Sequence, residues 1–141
     1  MRLTSMVFSA VLLVALSGQA CAHEEKLEGS EWGVVGDEGP KARYISFAGS
    51  GRVFGFGGCN RFSGTYEQHD HHLTLSPMAA TRMACPEDVM KKESDFFALL
   101  SRVRGVRVDH TLLLFLDEAG ADLKALTRRD TGSGGGSDEQ Q

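Results

Sequence analysis

The chain is 141 residues long, with 15 basic against 19 acidic side chains, a formal charge of −4 and 41% hydrophobic residues. That length suits one domain, and the composition is that of a folded chain, neither disordered nor low-complexity. The acidic balance argues against nucleic-acid binding, because neutralising phosphates requires a basic face.

Arg2 precedes an apolar stretch over residues 7–16. About ten apolar residues match the core of a signal peptide and are too few to cross a bilayer of roughly 30 Å as a helix. Residues 1–22 therefore read as an export signal. Ala20-Cys21-Ala22 fits small-x-small cleavage before His23. Alternatively, Cys21 is the acylated first residue of a lipoprotein, although Gly18 stands where such signals usually carry Leu. The expected location is the periplasm, or the periplasmic face of the outer membrane if Cys21 is lipidated. No later segment is apolar enough to span a membrane, so membrane contact rests on that anchor alone.

Residues 23–27 read as a linker and 28–130 as the folded unit. Strand signals dominate it: 32–35, then 43–47 and 52–56 around the Gly-containing turn 48–51, then 62–66 and 73–75 around the polar segment 67–72. One helix follows. Pro86 suits its first position, Glu87 and Asp88 its positive end, and Gly105 its C-terminal stop. Val89, Phe96, Leu100 and Val103 recur at helical spacing as the buried stripe, with Phe97 beside it, and Lys91, Lys92, Glu93 and Ser94 read as the polar face. Strands at 106–108, 112–116 and 123–126 complete the pattern. The unbroken apolar run 112–116 predicts burial on both faces, and 117–120 is the last hairpin turn. Residues 131–141 have no apolar side chain and read as a flexible tail. Strands, one helix, then strands predict an α+β domain with an antiparallel sheet.

Once Cys21 is removed or acylated, Cys59 and Cys85 are the remaining thiols, and in an oxidising compartment a disulfide is the default. A reactive thiol pair is the alternative, but the two lack the Cys-x-x-Cys spacing that sets a resolving thiol beside an attacking one.

Two segments carry a resemblance. Gly58, Cys59, Asn60, Arg61 and Gly64 in the first, with Thr81, Arg82, Met83, Cys85 and Pro86 in the second, resemble the signature of the META domain family, the HslJ-like bacterial heat-shock and envelope proteins. The resemblance spans roughly 28–129. It implies a single small domain with a strongly curved antiparallel sheet, half-barrel-like, and one inserted helix. It also implies an exported or lipid-anchored envelope protein linked to stress, with no catalytic residue to carry over.

The function expected is a non-enzymatic binding or structural module that takes a protein, a peptide or a small apolar ligand on its curved sheet, without cofactor. Arg61 and Arg82 each lie close in sequence to one cysteine, so a disulfide would draw both toward one patch for an anion or partner; stems packed over the sheet with solvated heads are the plainer reading. Phe47, Phe54, Phe56 and Phe62 read as core first and as an apolar groove second. The alternative function is a periplasmic metal-binding or metal-stress protein using His69, His71 and His72, beside Asp70. As alternating strand residues, 69 and 71 would face one way. His23 at a new N-terminus is a weaker candidate. Hydrolysis lacks a constellation: Ser9 and Ser63 sit in no nucleophile elbow, and Asp117 and Glu118 are turn carboxylates.

Overall fold

The computed structural model describes residues 25–130. The apolar export segment, Ser9, both processing alternatives at Cys21 and His23, and the 131–141 tail lie outside the described residues.

Alternating inward and outward residues build β1 (Ser30–Val34), β2 (Tyr44–Ala48), β3 (Arg52–Phe56), β4 (Arg61–His69) and β5 (His72–Leu75). A short β6 (Ala79–Ala80), which the sequence pattern does not signal, leads to α1 (Glu87–Arg102), and β7 (Gly105–Asp109), β8 (Leu112–Leu116) and β9 (Asp122–Arg128) follow. In the β2–β3 turn the left-handed positions are Ser50, with φ 61°, and Gly51, with φ 68°. The polar segment 67–72 is mostly strand, because its turn is only Asp70-His71, with Asp70 at φ 54°.

All pairings are antiparallel, in the order β3-β2-β1-β9-β8-β7-β5-β4-β6, and β3 also pairs with β4. The curvature implied by the resemblance is present and goes further. The β3–β4 pairing joins the two ends, so eight strands form a closed ring with β6 attached to β4 outside it. Strand β4 makes this possible through its length: Arg61–Thr65 pairs with β3, while Tyr66–His69 pairs with β5. The thinnest joint is β5–β7, where the one registered pair is His72 with Gly105.

Trp32, Ile45, Phe47, Val53, Phe62 and Phe115 fill the interior, and α1 adds Phe96 and Leu100 to the same core. Full burial of each such side chain stabilises the fold by about 1.5–3 kcal/mol. The Phe62 ring is held edge-on to Phe97, with centroids 5.4 Å apart. A Cβ at Gly55 would stand 2.2 Å from the Tyr44 carbonyl oxygen and 2.6 Å from the Phe62 ring, so only glycine lets that ring pack there. The concave face is thus occupied by the protein's own side chains. Of the four phenylalanines read together, Phe47 and Phe62 are core, whereas Phe54 is exposed on the outer face.

Three local expectations need correction. The helix starts at Glu87 with Pro86 as its N-cap, and it ends at Arg102 with Val103 as its C-cap. Gly105 therefore opens β7 and does not stop the helix; it lies where a Cβ would sit 3.2 Å from the His71 carbonyl oxygen. Residues 112–116 are not buried on both faces. Leu113 and Phe115 point inward, Leu112 is exposed, and Leu114 and Leu116 are half-buried.

Candidate binding surface at the disulfide knot

The chain turns from β3 into β4 through residues 57–60, and the Gly57 N–H donates to the Asn60 carbonyl at 2.8 Å to close the turn. Gly58 has φ 108°, a conformation that side chains resist. Cys59 is bonded to Cys85, with Cα atoms 6.0 Å apart, so the structure forms the disulfide read from the sequence. A bridge closing about 27 residues contributes about 3.5 kcal/mol by loop-closure entropy.

Glu93, read from the sequence as part of the polar helix face, is buried at 7% relative exposure and holds this turn. Its Oε2 accepts the N–H groups of Cys59 at 3.0 Å and Asn60 at 2.5 Å, and its Oε1 accepts Asn60 Nδ2 at 2.7 Å. A signal for it existed in the sequence: position 93 lies three and seven residues before Phe96 and Leu100, on the buried stripe. A carboxylate at that position reads as solvated unless its donors are known in advance, and here they come from a loop more than 30 residues away. Gly57 makes room for it, since a Cβ there would stand 2.7 Å from Glu93 Oε2.

Asn60 extends the knot to the second motif segment. Its Oδ1 accepts the Thr81 hydroxyl at 3.0 Å and the Met83 N–H at 2.6 Å. The Thr81 N–H donates to the Arg61 carbonyl at 3.0 Å, and Thr81 Oγ1 accepts the Arg61 N–H at 3.2 Å. The motif residues thereby divide. Cys59, Asn60 and Thr81 build the knot, while Arg61, Arg82 and Met83 are exposed, Met83 at 64%. No hydrogen bond or ion pair holds the guanidinium of Arg61 or Arg82 among the described residues. Gly64 is part of this framework too, because a Cβ there would meet Met78 Sδ at 2.7 Å.

Beside the knot lies a cavity of about 290 Å3 lined by Asp37, Lys41, Arg43, Gly58 and Lys92. Arg43 donates from Nε to Asp37 Oδ2 at 2.6 Å and from Nη2 to Oδ1 at 2.9 Å, a two-pronged pair. Those hydrogen bonds hold the Asp37 carboxyl below its ordinary value and Arg43 above its own. The Arg43 guanidinium also lies 5.8 Å from the Phe96 ring centre.

The histidines are arranged differently from expectation. His69 and His72 are registered partners across β4 and β5 and share a face, while His71 sits in the turn between them. His71 and His72 border a cavity of about 430 Å3, with Arg104, Asp117 and Glu118 on its other wall. Among the described residues, no group of three or more His, Cys, Asp or Glu side chains is placed to hold a metal ion. His110, exposed at the β7–β8 turn, is pushed up by its 2.6 Å contact with Asp109. Asp117 Oδ1 accepts the N–H groups of Ala119 and Ala121 at 2.9 Å each, which makes it a turn-forming carboxylate. Ser63 lies on the outer face of β4, opposite Phe54.

Two solved structures share this architecture. An NMR structure of a protein from Burkholderia xenovorans is 20% identical, with a TM-score of 0.61 over 74% of this chain and 84% of that chain. A second protein solved by NMR is 22% identical, with a TM-score of 0.54 over 73% of this chain and 90% of the other. At such identities the likeness is one of fold. No curated protein matches the sequence. The sequence profile of the META domain matches residues 16–130, which include the ring, the knot and the inserted helix. With most of its length matched and both motif segments joined in one knot, the chain belongs to the META domain family.

Proposed function

We propose that the protein is an exported, stress-related module of the bacterial envelope that acts by binding a partner, without catalysis, through the outer side of the disulfide knot. The observation that carries this reading is the division of the motif residues. The buried ones make a rigid support from the disulfide, Asn60 and Glu93. The exposed ones, Arg61, Arg82 and Met83, are held out from it with no interaction that folding would require of their side chains. Exposed Met83, with unpaired Arg82 next to it in the chain and unpaired Arg61 on the adjoining strand, is a contact surface for a partner, since Met adapts to irregular surfaces and Arg is common at interfaces.

The filled interior favours this outer surface over the concave face, because a ligand inside the ring would have to displace Trp32, Phe47 or Phe115. Export is supported by the apolar N-terminal stretch and by a disulfide suited to an oxidising compartment.

A photoreactive amino acid placed at Met83 in cells tests the binding reading: discrete adducts are expected there and not at Lys91 on the helix, and adducts no more abundant at 83 than at 91 would refute it. Unreduced intact mass of the envelope-purified protein tests export. A chain beginning at His23 or at acylated Cys21 supports it, whereas an uncleaved N-terminus with free thiols contradicts it.

A further inference from the structure

The segment from β6 toward the helix has an open backbone edge. The Thr81 N–H reaches the Arg61 carbonyl, the Met83 N–H reaches Asn60 Oδ1, and Cys85 is tied by the disulfide. These anchors fall on every second residue, the period of a strand. Phe62 and Ala80 are registered partners adjacent to the bonded Arg61–Thr81 pair, so theirs is the non-hydrogen-bonded kind and the Ala80 N–H and C=O point away from β4. Continuing the alternation, Arg82 and Ala84 face the same outer side, and neither makes a backbone hydrogen bond among the described residues. Strand β6 pairs with β4 alone, and residues 79–84 are all exposed. Pro77 and Pro86 bound the edge at either end.

We infer that this edge accepts an extended, acidic peptide segment of a partner protein as an added strand, with Arg61 and Arg82 receiving its carboxylates. Unpaired N–H and C=O groups on an exposed edge are the requirement for strand addition, and outward side chains then set its selectivity. The charge argues for an acidic partner and against a second copy of this chain. Residues 79–84 contain no carboxylate, so two copies meeting edge to edge would bring their Arg82 side chains together uncompensated. The knot supplies the rigidity, because the edge is fixed to Asn60 and Cys59 and loses little freedom when a strand is added. The inference rests on the binding reading above and specifies its site and partner.

The test titrates the full mature chain with an N-acetylated hexapeptide alternating Asp and Val, followed by amide NMR shifts and hydrogen exchange. Saturable shifts at residues 79–84 and at Arg61 are expected, with slowed exchange of the Ala80, Arg82 and Ala84 amides. Arg82→Glu should weaken binding at least about tenfold, since it replaces a charge-assisted contact by repulsion. The same peptide N-methylated at alternate residues keeps its charge and should lose binding. Equal affinity of the N-methylated peptide would reduce the effect to charge alone and overturn strand addition. So would the absence of saturable shifts at millimolar peptide, shifts confined to the His71–Glu118 cavity, or protection of the same amides by self-association without peptide. If peptide binding fails while crosslinks at position 83 persist in cells, the inference falls and the binding reading stands.

Discussion

The Glu93 carboxylate and Asn60 are joined twice, through the Asn60 backbone N–H and through its side-chain Nδ2, and so one helix residue fixes the conformation of the β3–β4 turn. Glu93→Gln keeps the shape but turns one acceptor into a donor, which in either amide orientation faces another donor: the Cys59 and Asn60 N–H groups, or Asn60 Nδ2. We expect a loss of about 2–3 kcal/mol, typical of orphaned buried donors beside a lost charge-assisted acceptor. Thermal unfolding should then begin about 10–20 °C lower, and an unchanged Tm would mean that the turn does not depend on the carboxylate.

The disulfide and Glu93 restrain the same four residues, so their effects should not add. Cys59→Ser with Cys85→Ser removes about 3.5 kcal/mol of loop-closure restraint. Combined with Glu93→Gln, the total loss should differ from the sum of the separate losses by more than about 0.5 kcal/mol, the usual scatter of independent sites. Urea unfolding of the three variants measures this, and strict additivity would show that the two clamps act independently.

Gly55→Ala and Gly36→Ala separate steric from conformational demands. The first forces a Cβ to 2.2 Å from the Tyr44 carbonyl oxygen. It should cost about 3 kcal/mol or more, because a backbone contact cannot swing away. At Gly36, with φ 89°, nothing lies within 4 Å, and only the left-handed backbone opposes the methyl group, at about 1 kcal/mol. Denaturation midpoints in the reverse order would contradict the packing described for Phe62.

The Asp37–Arg43 pair gives a pH signature. Arg43 lowers the Asp37 value below the ordinary 3.8, so the carboxylate's contribution is complete above the unfolded value and disappears as pH falls through the lower folded one. Asp37→Asn should be less stable than the parent at pH 6, on the order of 1 kcal/mol after allowance for partial exposure. The gap should close over the acidic range below the ordinary 3.8. Chemical unfolding at a series of pH values would read it, and a gap constant across that window would exclude the pair as its source.

Much of the fold was legible because it is written in local patterns. Period-two alternation, short apolar runs and turn signals placed eight of the strands, and the spacing of Phe96, Leu100 and Val103 placed the helix face. What escaped depended on distant partners. Ala79-Ala80 has no strand pattern of its own and pairs only because β4 offers an edge. The five apolar residues 112–116 hid their alternation because Leu112, which is exposed, is chemically indistinguishable from Leu113, which is not. At the knot, the cysteine pair was visible from compartment chemistry, whereas the place of Glu93 on the buried stripe could not be read as structural because its donors lie in another segment. The histidine cluster misled for the opposite reason: adjacency in sequence set His71 in a turn and His69 against His72.

A hoop opens at its clasp. The β2–β3, β3–β4 and β7–β8 joints each hold five registered pairs, whereas β5 and β7 meet in one, flanked by the Leu73–Arg104 and Val106–His71 backbone bonds. Breathing motions should therefore part the sheet between His72 and Gly105 first, leaving the other joints shut. Water and small solutes would then reach Leu73 and Val106 through that gap at a fraction of the free energy of global unfolding, so the native protein would have a transient doorway to its interior that the resting architecture conceals.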